Sequence, residues 1–93
     1  MVEIDVTTSE RDDGYQFDVA VREQGSQTRH SVTLKKRDYE KLTDGEASPE
    51  ALVSESFRFL LEREPKESIL SSFDLTVISR YFPEYEREIA KRL

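Results

Sequence analysis

The stretch Phe57-Arg58-Phe59-Leu60-Leu61-Glu62-Arg63-Glu64-Pro65 decides the fold. It concentrates large apolar side chains in one helical segment and ends on a proline, which cannot continue a helix. At ~100° per residue, Leu52, Val53, Ser56, Phe57, Phe59, Leu60 and Leu61 span roughly 200° of the helical wheel. A surface helix needs an apolar stripe of only ~100° or slightly more. This helix is therefore expected to be covered on two sides. Ser48-Pro49-Glu50 opens it, with serine as N-cap, proline at the first helical position and an acid in the first turn.

Upstream, the hydrophobic period is two. Val2, Ile4 and Val6 alternate with Glu3, Asp5 and Thr7; Tyr15, Phe17, Val19 and Val21 repeat the pattern, as do His30, Val32 and Leu34. Such alternation predicts three antiparallel strands with one wet face. Arg11-Asp12-Asp13-Gly14 breaks the first two, and Gly25-Ser26 the second two. A Gly25-Ser26 turn sets Val21 opposite His30, Val19 opposite Val32 and Phe17 opposite Leu34, and places Arg22 against Arg29. A four-residue first loop sets Glu3 opposite Arg22, supplying a countercharge.

Downstream, a short helix is expected over residues 36–42, with Tyr39 and Leu42 inward and Gly45 near its end. A second is expected over residues 66–71, burying Ile69 and Leu70. Asp74 caps a further turn carrying Leu75, Val77 and Ile78, and Pro83 starts a last helix with Tyr85, Ile89 and Leu93 in step. The expected fold class is α+β: a three-stranded antiparallel β-meander, then a long central helix and shorter C-terminal helices on one sheet face. Ninety-three residues without a linker or repeat read as a single domain, residues 1–93.

The net charge of −6 favours solubility and lacks the basic footprint of a nucleic-acid module. The absence of cysteine removes disulfides, thiolate metal sites and a cysteine nucleophile, and fits a reducing compartment. Met1-Val2-Glu3-Ile4-Asp5 carries no leader signature, and no apolar run approaches the ~20 residues of a membrane span. A cytoplasmic protein is expected.

From Phe57 onward the chain resembles a family of short uncharacterised prokaryotic proteins. The likeness rests on Phe59-Leu60-Leu61-Glu62-Arg63-Glu64-Pro65, Glu67-Ser68-Ile69-Leu70, Phe73-Asp74-Leu75, Val77-Ile78 and Tyr81-Phe82-Pro83-Glu84-Tyr85-Glu86. It covers the last third of the chain and implies no particular activity or catalytic residue.

Among chemistry-bearing residues, His30 is the single histidine and lacks the nucleophile or ligand cluster it would serve, so it reads as a strand residue. Glu10, Asp12 and Asp13 beside Gly14 do not match a calcium loop and read as turn chemistry. Arg63 falls inside the apolar arc, where a positive group needs a partner; a structural ion pair with Glu67 is expected, with Glu64 as the other near candidate and snorkelling at the helix end as the alternative. Arg80, Tyr81, Phe82 and Tyr85 form the candidate interaction surface, since aromatics and arginine anchor protein interfaces. Lys35-Lys36-Arg37, with Arg29, reads as a solvated junction, without the interleaved aromatics of a single-strand binder. No catalytic, cofactor or metal constellation is visible.

The leading expectation is a non-enzymatic protein-interaction or homo-oligomerising module, meeting a protein partner or a second copy. One alternative is a helix-turn-helix-like DNA-binding regulator, with residues 67–71 and 75–81 as the two helices. Another is a carboxylate-dependent enzyme.

Overall fold

The computed structural model describes residues 2–93; Met1, within the stretch read for a leader, lies outside them. Strands β1 (Val2–Glu10), β2 (Gly14–Glu23) and β3 (Ser26–Lys35) form the antiparallel meander. Helices α1 (Lys36–Thr43) and α2 (Pro49–Leu61) follow, then a 3-10 turn over Lys66–Ser68. Strand β4 (Ser72–Asp74) precedes a second 3-10 turn, Leu75–Val77, and helices α3 (Ile78–Tyr81) and α4 (Tyr85–Arg92).

The sheet has four strands in the order β1-β2-β3-β4, and β4 runs parallel to β3. This corrects the three-stranded expectation. Three residues are too few for alternation to declare a strand, and Ser72-Phe73-Asp74 looks locally like a turn and a cap. Tertiary partners decide it: Ser31 N–H donates to the Ser71 carbonyl at 2.8 Å, and the Thr33 hydroxyl donates to Asp74 Oδ2 at 2.9 Å. The short helix expected over residues 66–71 shrinks to the 3-10 turn.

The first loop aligns as expected, with Glu3 opposite Arg22. Gly14 is needed there, because a Cβ would lie 2.3 Å from the Leu34 carbonyl oxygen. The second register differs by two residues: Glu23 pairs with Ser26, and Val19 faces His30 rather than Val32. Gln24 and Gly25 occupy the turn at φ 51° and 80°, the doubly left-handed conformation whose twist matches that of the strands. A two-residue shift preserves every side chain's face. It also separates Arg22 from Arg29, and Arg22 Nε instead donates to Gln27 Oε1 at 2.9 Å.

Helix α2 starts as its residues dictate, the Ser48 hydroxyl accepting from the Ala51 N–H at 3.1 Å. Leu52, Val53, Ser56, Phe57, Phe59 and Leu60 are buried around both sides of it, and Leu61 is partly covered. Phe57 meets the His30 ring of β3 and Phe73 of β4, with centroids 5.3 and 6.0 Å away. Phe59 meets Tyr85 of α4 at 5.3 Å and Phe82 at 5.8 Å. The rod thus lies between the sheet and the C-terminal segment, and the buried apolar residues other than Ala20 form one cluster.

Candidate functional site

The chain segment after α2 exposes large apolar side chains beside a cleft. The Leu70 carbonyl accepts from His30 Nδ1 at 2.7 Å, docking this segment on β3. Because a carbonyl only accepts, Nδ1 carries the proton, and in the neutral ring Nε2 accepts from the Thr28 hydroxyl at 2.9 Å. With its backbone held and Ile69 turned inward, the Leu70 side chain is left 49 % exposed.

Across from it, α3 is a single turn. Ile78 is buried, and Tyr81, three residues later, is 68 % exposed. Between Leu70 and Tyr81 lies an apolar cleft of about 240 Å³, floored by Leu60, Ile69, Phe73 and Ile78, with Val77 and Phe82 in its walls. Its polar lining groups are Glu64, Ser68 and the Tyr81 phenol. The volume falls below the ~300–1,000 Å³ of a small-molecule site and suits one or two inserted apolar side chains, the usual form of an interface anchor.

The candidate interaction surface is therefore divided. Arg80 and Tyr81 are exposed, and Phe82 is partly covered against Phe59. Tyr85 is completely buried and leaves the surface. The Ser56 hydroxyl donates to the Leu52 carbonyl at 2.7 Å, so the Tyr85 phenol donates to Ser56 Oγ at 2.6 Å. Burial pushes that phenol above its ordinary pKa. Leu70 belongs to the cleft instead, and expecting a helix over residues 66–71 had hidden it.

The ion pair expected between Arg63 and Glu67 does not form. Helix α2 ends at Leu61 and the chain bends before Pro65, so four-residue helical spacing no longer brings these residues together. Arg63 folds back over Phe59, its guanidinium carbon 3.6 Å from the ring centroid, donates to the Phe59 carbonyl, and reaches Glu84 at 3.2 Å. Glu67 pairs with Lys66 at 2.6 Å. Nearby, Arg92 donates to Glu62 at 2.6 Å, joining α4 to the end of α2.

Glu62 is held below the ordinary carboxylate range by the Arg92 hydrogen bond, and Glu84 by a backbone N–H and then by Arg63. Both stay ionised, whereas an acid–base pair needs environments that push its two carboxyls apart. Glu10 is tied to Lys36 at 3.1 Å, and the Asp13 carbonyl accepts from the Lys36 N–H at 2.9 Å. The Glu10 carboxylate and the Asp13 backbone thus bind the first loop to the start of α1. Lys35 and Arg29 lie six residues apart on the outer face of β3. In the segment read as helix-turn-helix, residues 75–81 are helical as a 3-10 turn running into the single turn of α3, whereas residues 67–71 hold only the end of a 3-10 turn and strand β4 stands between the two. Among the described residues, no helix is long and apolar enough to cross a membrane.

Comparison with known protein families, curated proteins and solved structures finds no match to this chain.

Proposed function

We propose that this chain is a non-enzymatic protein-interaction module of the cytoplasm, and that the cleft between Leu70 and Tyr81 is its contact surface. One observation carries the reading: two large, exposed apolar side chains stand at the lips of one apolar cleft. Leaving them in water forgoes burial worth ~25 cal/mol per Å², and a partner's anchor side chain would recover it. The occupant this cleft fits is an apolar residue on a partner segment, with a basic neighbour facing Glu64. The cytoplasmic setting rests on the absence of cysteine.

The test compares the wild type with a Leu70→Ser/Tyr81→Ser variant in affinity recovery from the native cell. Both side chains are exposed, so the variant should match the wild type in circular dichroism and thermal stability. Recovery of a protein by the wild type and its loss with the variant supports the proposal. Equal recovery by both contradicts it.

A further inference from the structure

We infer that the open edge of β1 is a second, self-complementary contact, which pairs with β1 of another copy of this chain. It is independent of the cleft. Strand β1 ends the sheet, and among the described residues nothing pairs with its outer side. It runs nine residues, about 30 Å, with an unbroken register to β2 and so no bulge. Proteins usually blunt such an edge with proline, lysine, a bulge or an inward-pointing charge. Val2-Glu3-Ile4-Asp5-Val6-Thr7-Thr8-Ser9-Glu10 has no proline or lysine; of the residues on its inward side Val2, Ile4, Val6 and Thr8 are uncharged, and the one charge there, Glu10 at the strand's end, is exposed and tied to Lys36.

The turn geometry determines which backbone groups are open. Glu23 and Ser26 flank a two-residue turn and form a hydrogen-bonded pair. By alternation, Arg22, Ala20 and Asp18 direct their backbone groups toward β1. The same alternation accounts for Arg11 N–H donating to the Gly14 carbonyl and Ser31 N–H donating to the Ser71 carbonyl. Glu3, Asp5 and Thr7 therefore bond to β2, while Val2, Ile4, Val6, Thr8 and Glu10 present N–H and C=O to the open edge.

An antiparallel pairing centred on Val6 joins those five residues to their counterparts. It sets Val6 opposite Val6, Ile4 opposite Thr8, and Val2 opposite Glu10 of the second copy. On the outer face Asp5 meets Thr7, and Glu3 meets Ser9. A shift by two residues in one direction would instead oppose Asp5 to Asp5, and a further shift would oppose Glu3 to Asp5, both unfavourable. The centred register uses the whole strand and opposes no two acids. It also covers Val2, Ile4 and Val6, which the monomer leaves only partly buried while the central strands' Phe17, Val21 and Val32 are fully so. The product is an eight-stranded sheet with closed two-fold symmetry.

The experiment is sedimentation analysis of the full chain over a concentration series. The mass should rise from 10.9 kDa toward about twice that value. Ser9 is exposed and faces the neutral Gln16 within its own sheet, so its charge can be changed without upsetting the fold. Ser9→Lys should tighten the dimer, and Ser9→Glu should weaken it, each by roughly 2- to 30-fold across two symmetry-related pairs. Val6→Pro, which removes an outward-pointing N–H, should give a folded monomer; if it does not fold, the Ser9 pair still decides. A chain that stays at 10.9 kDa up to about 1 mM overturns the inference. So does a dimer indifferent to the charge at position 9, or one abolished by Leu70→Ser, which would assign it to the cleft.

Discussion

Phe57 and Phe59, two positions apart on α2, belong to different layers of the molecule. The first packs on His30 and Phe73, the second on Phe82 and Tyr85. Residues two apart on a helix do not face each other, and these two share no aromatic neighbour. Truncating either to alanine should cost ~3–5 kcal/mol, a large share of the ~5–15 kcal/mol of a small domain. The milder Phe57→Leu and Phe59→Leu should therefore add within ~0.5 kcal/mol in urea denaturation. A larger coupling would contradict their separation.

The Ser56–Tyr85 bond is asymmetric. Tyr85→Phe leaves the Ser56 hydroxyl on the Leu52 carbonyl, so its cost should be ~0.5–1.5 kcal/mol. Ser56→Ala strands a buried phenol and should cost more, ~1–3 kcal/mol. The double variant should cost less than the sum, as a double-mutant cycle would show. Because burial raises the folded-state pKa of Tyr85, its contribution is complete below the unfolded value of ~10 and falls as pH rises above it. The wild-type advantage over Tyr85→Phe should shrink across that alkaline range.

Arg63, a quarter exposed at its side chain, ties Phe59 to Glu84. Arg63→Ala should destabilise by ~1–2 kcal/mol through the lost cation–ring contact and stem packing. Glu67→Gln removes the countercharge of the buried Lys66 and should cost ~1–3 kcal/mol. Thermal denaturation of both single variants and the double variant separates this arrangement, in which the two losses add, from an Arg63–Glu67 pair, in which the double variant costs less than their sum.

Glu62 offers an acid-side test. Its folded pKa is lowered by Arg92, so its contribution is present above the unfolded value of ~4.3 and disappears as pH falls through the folded one. Chemical denaturation should show a difference between wild type and Glu62→Gln at neutral pH that fades in the acid range.

His30 controls one lip of the cleft. His30→Ala removes the Leu70 anchor and should cost ~1–3 kcal/mol, because it leaves a carbonyl unpaired. Amide exchange should accelerate at Ser31, whose N–H is held by the same segment. Unchanged exchange there would show that the segment is held by its apolar contacts alone.

The strands of the meander, the ends of α2 and its two-sided burial were legible because each has a dense local signal: alternation, a serine–proline cap and an arc of about 200°. The turn at Gln24-Gly25 was displaced by one residue because glycine can serve either central position, and only strand twist chooses between them. Strand β4 was not legible, since its pairing partners lie about forty residues earlier. Arg63 was correctly read as needing a partner, but Glu84 came from a segment whose placement no local pattern reports. Tyr81 was visible as a candidate anchor and Leu70 was not, because its exposure follows from the long-range His30 bond.

The most direct test of the contact surface is site-specific photo-crosslinking in the native cell. The reactive group would replace Tyr81 at the cleft lip or Arg29 on the outer sheet face. A discrete crosslinked protein from position 81, suppressed by Leu70→Ser and absent from position 29, is the result expected. Equal labelling from both positions, or none from position 81, would contradict a cleft built to receive a partner.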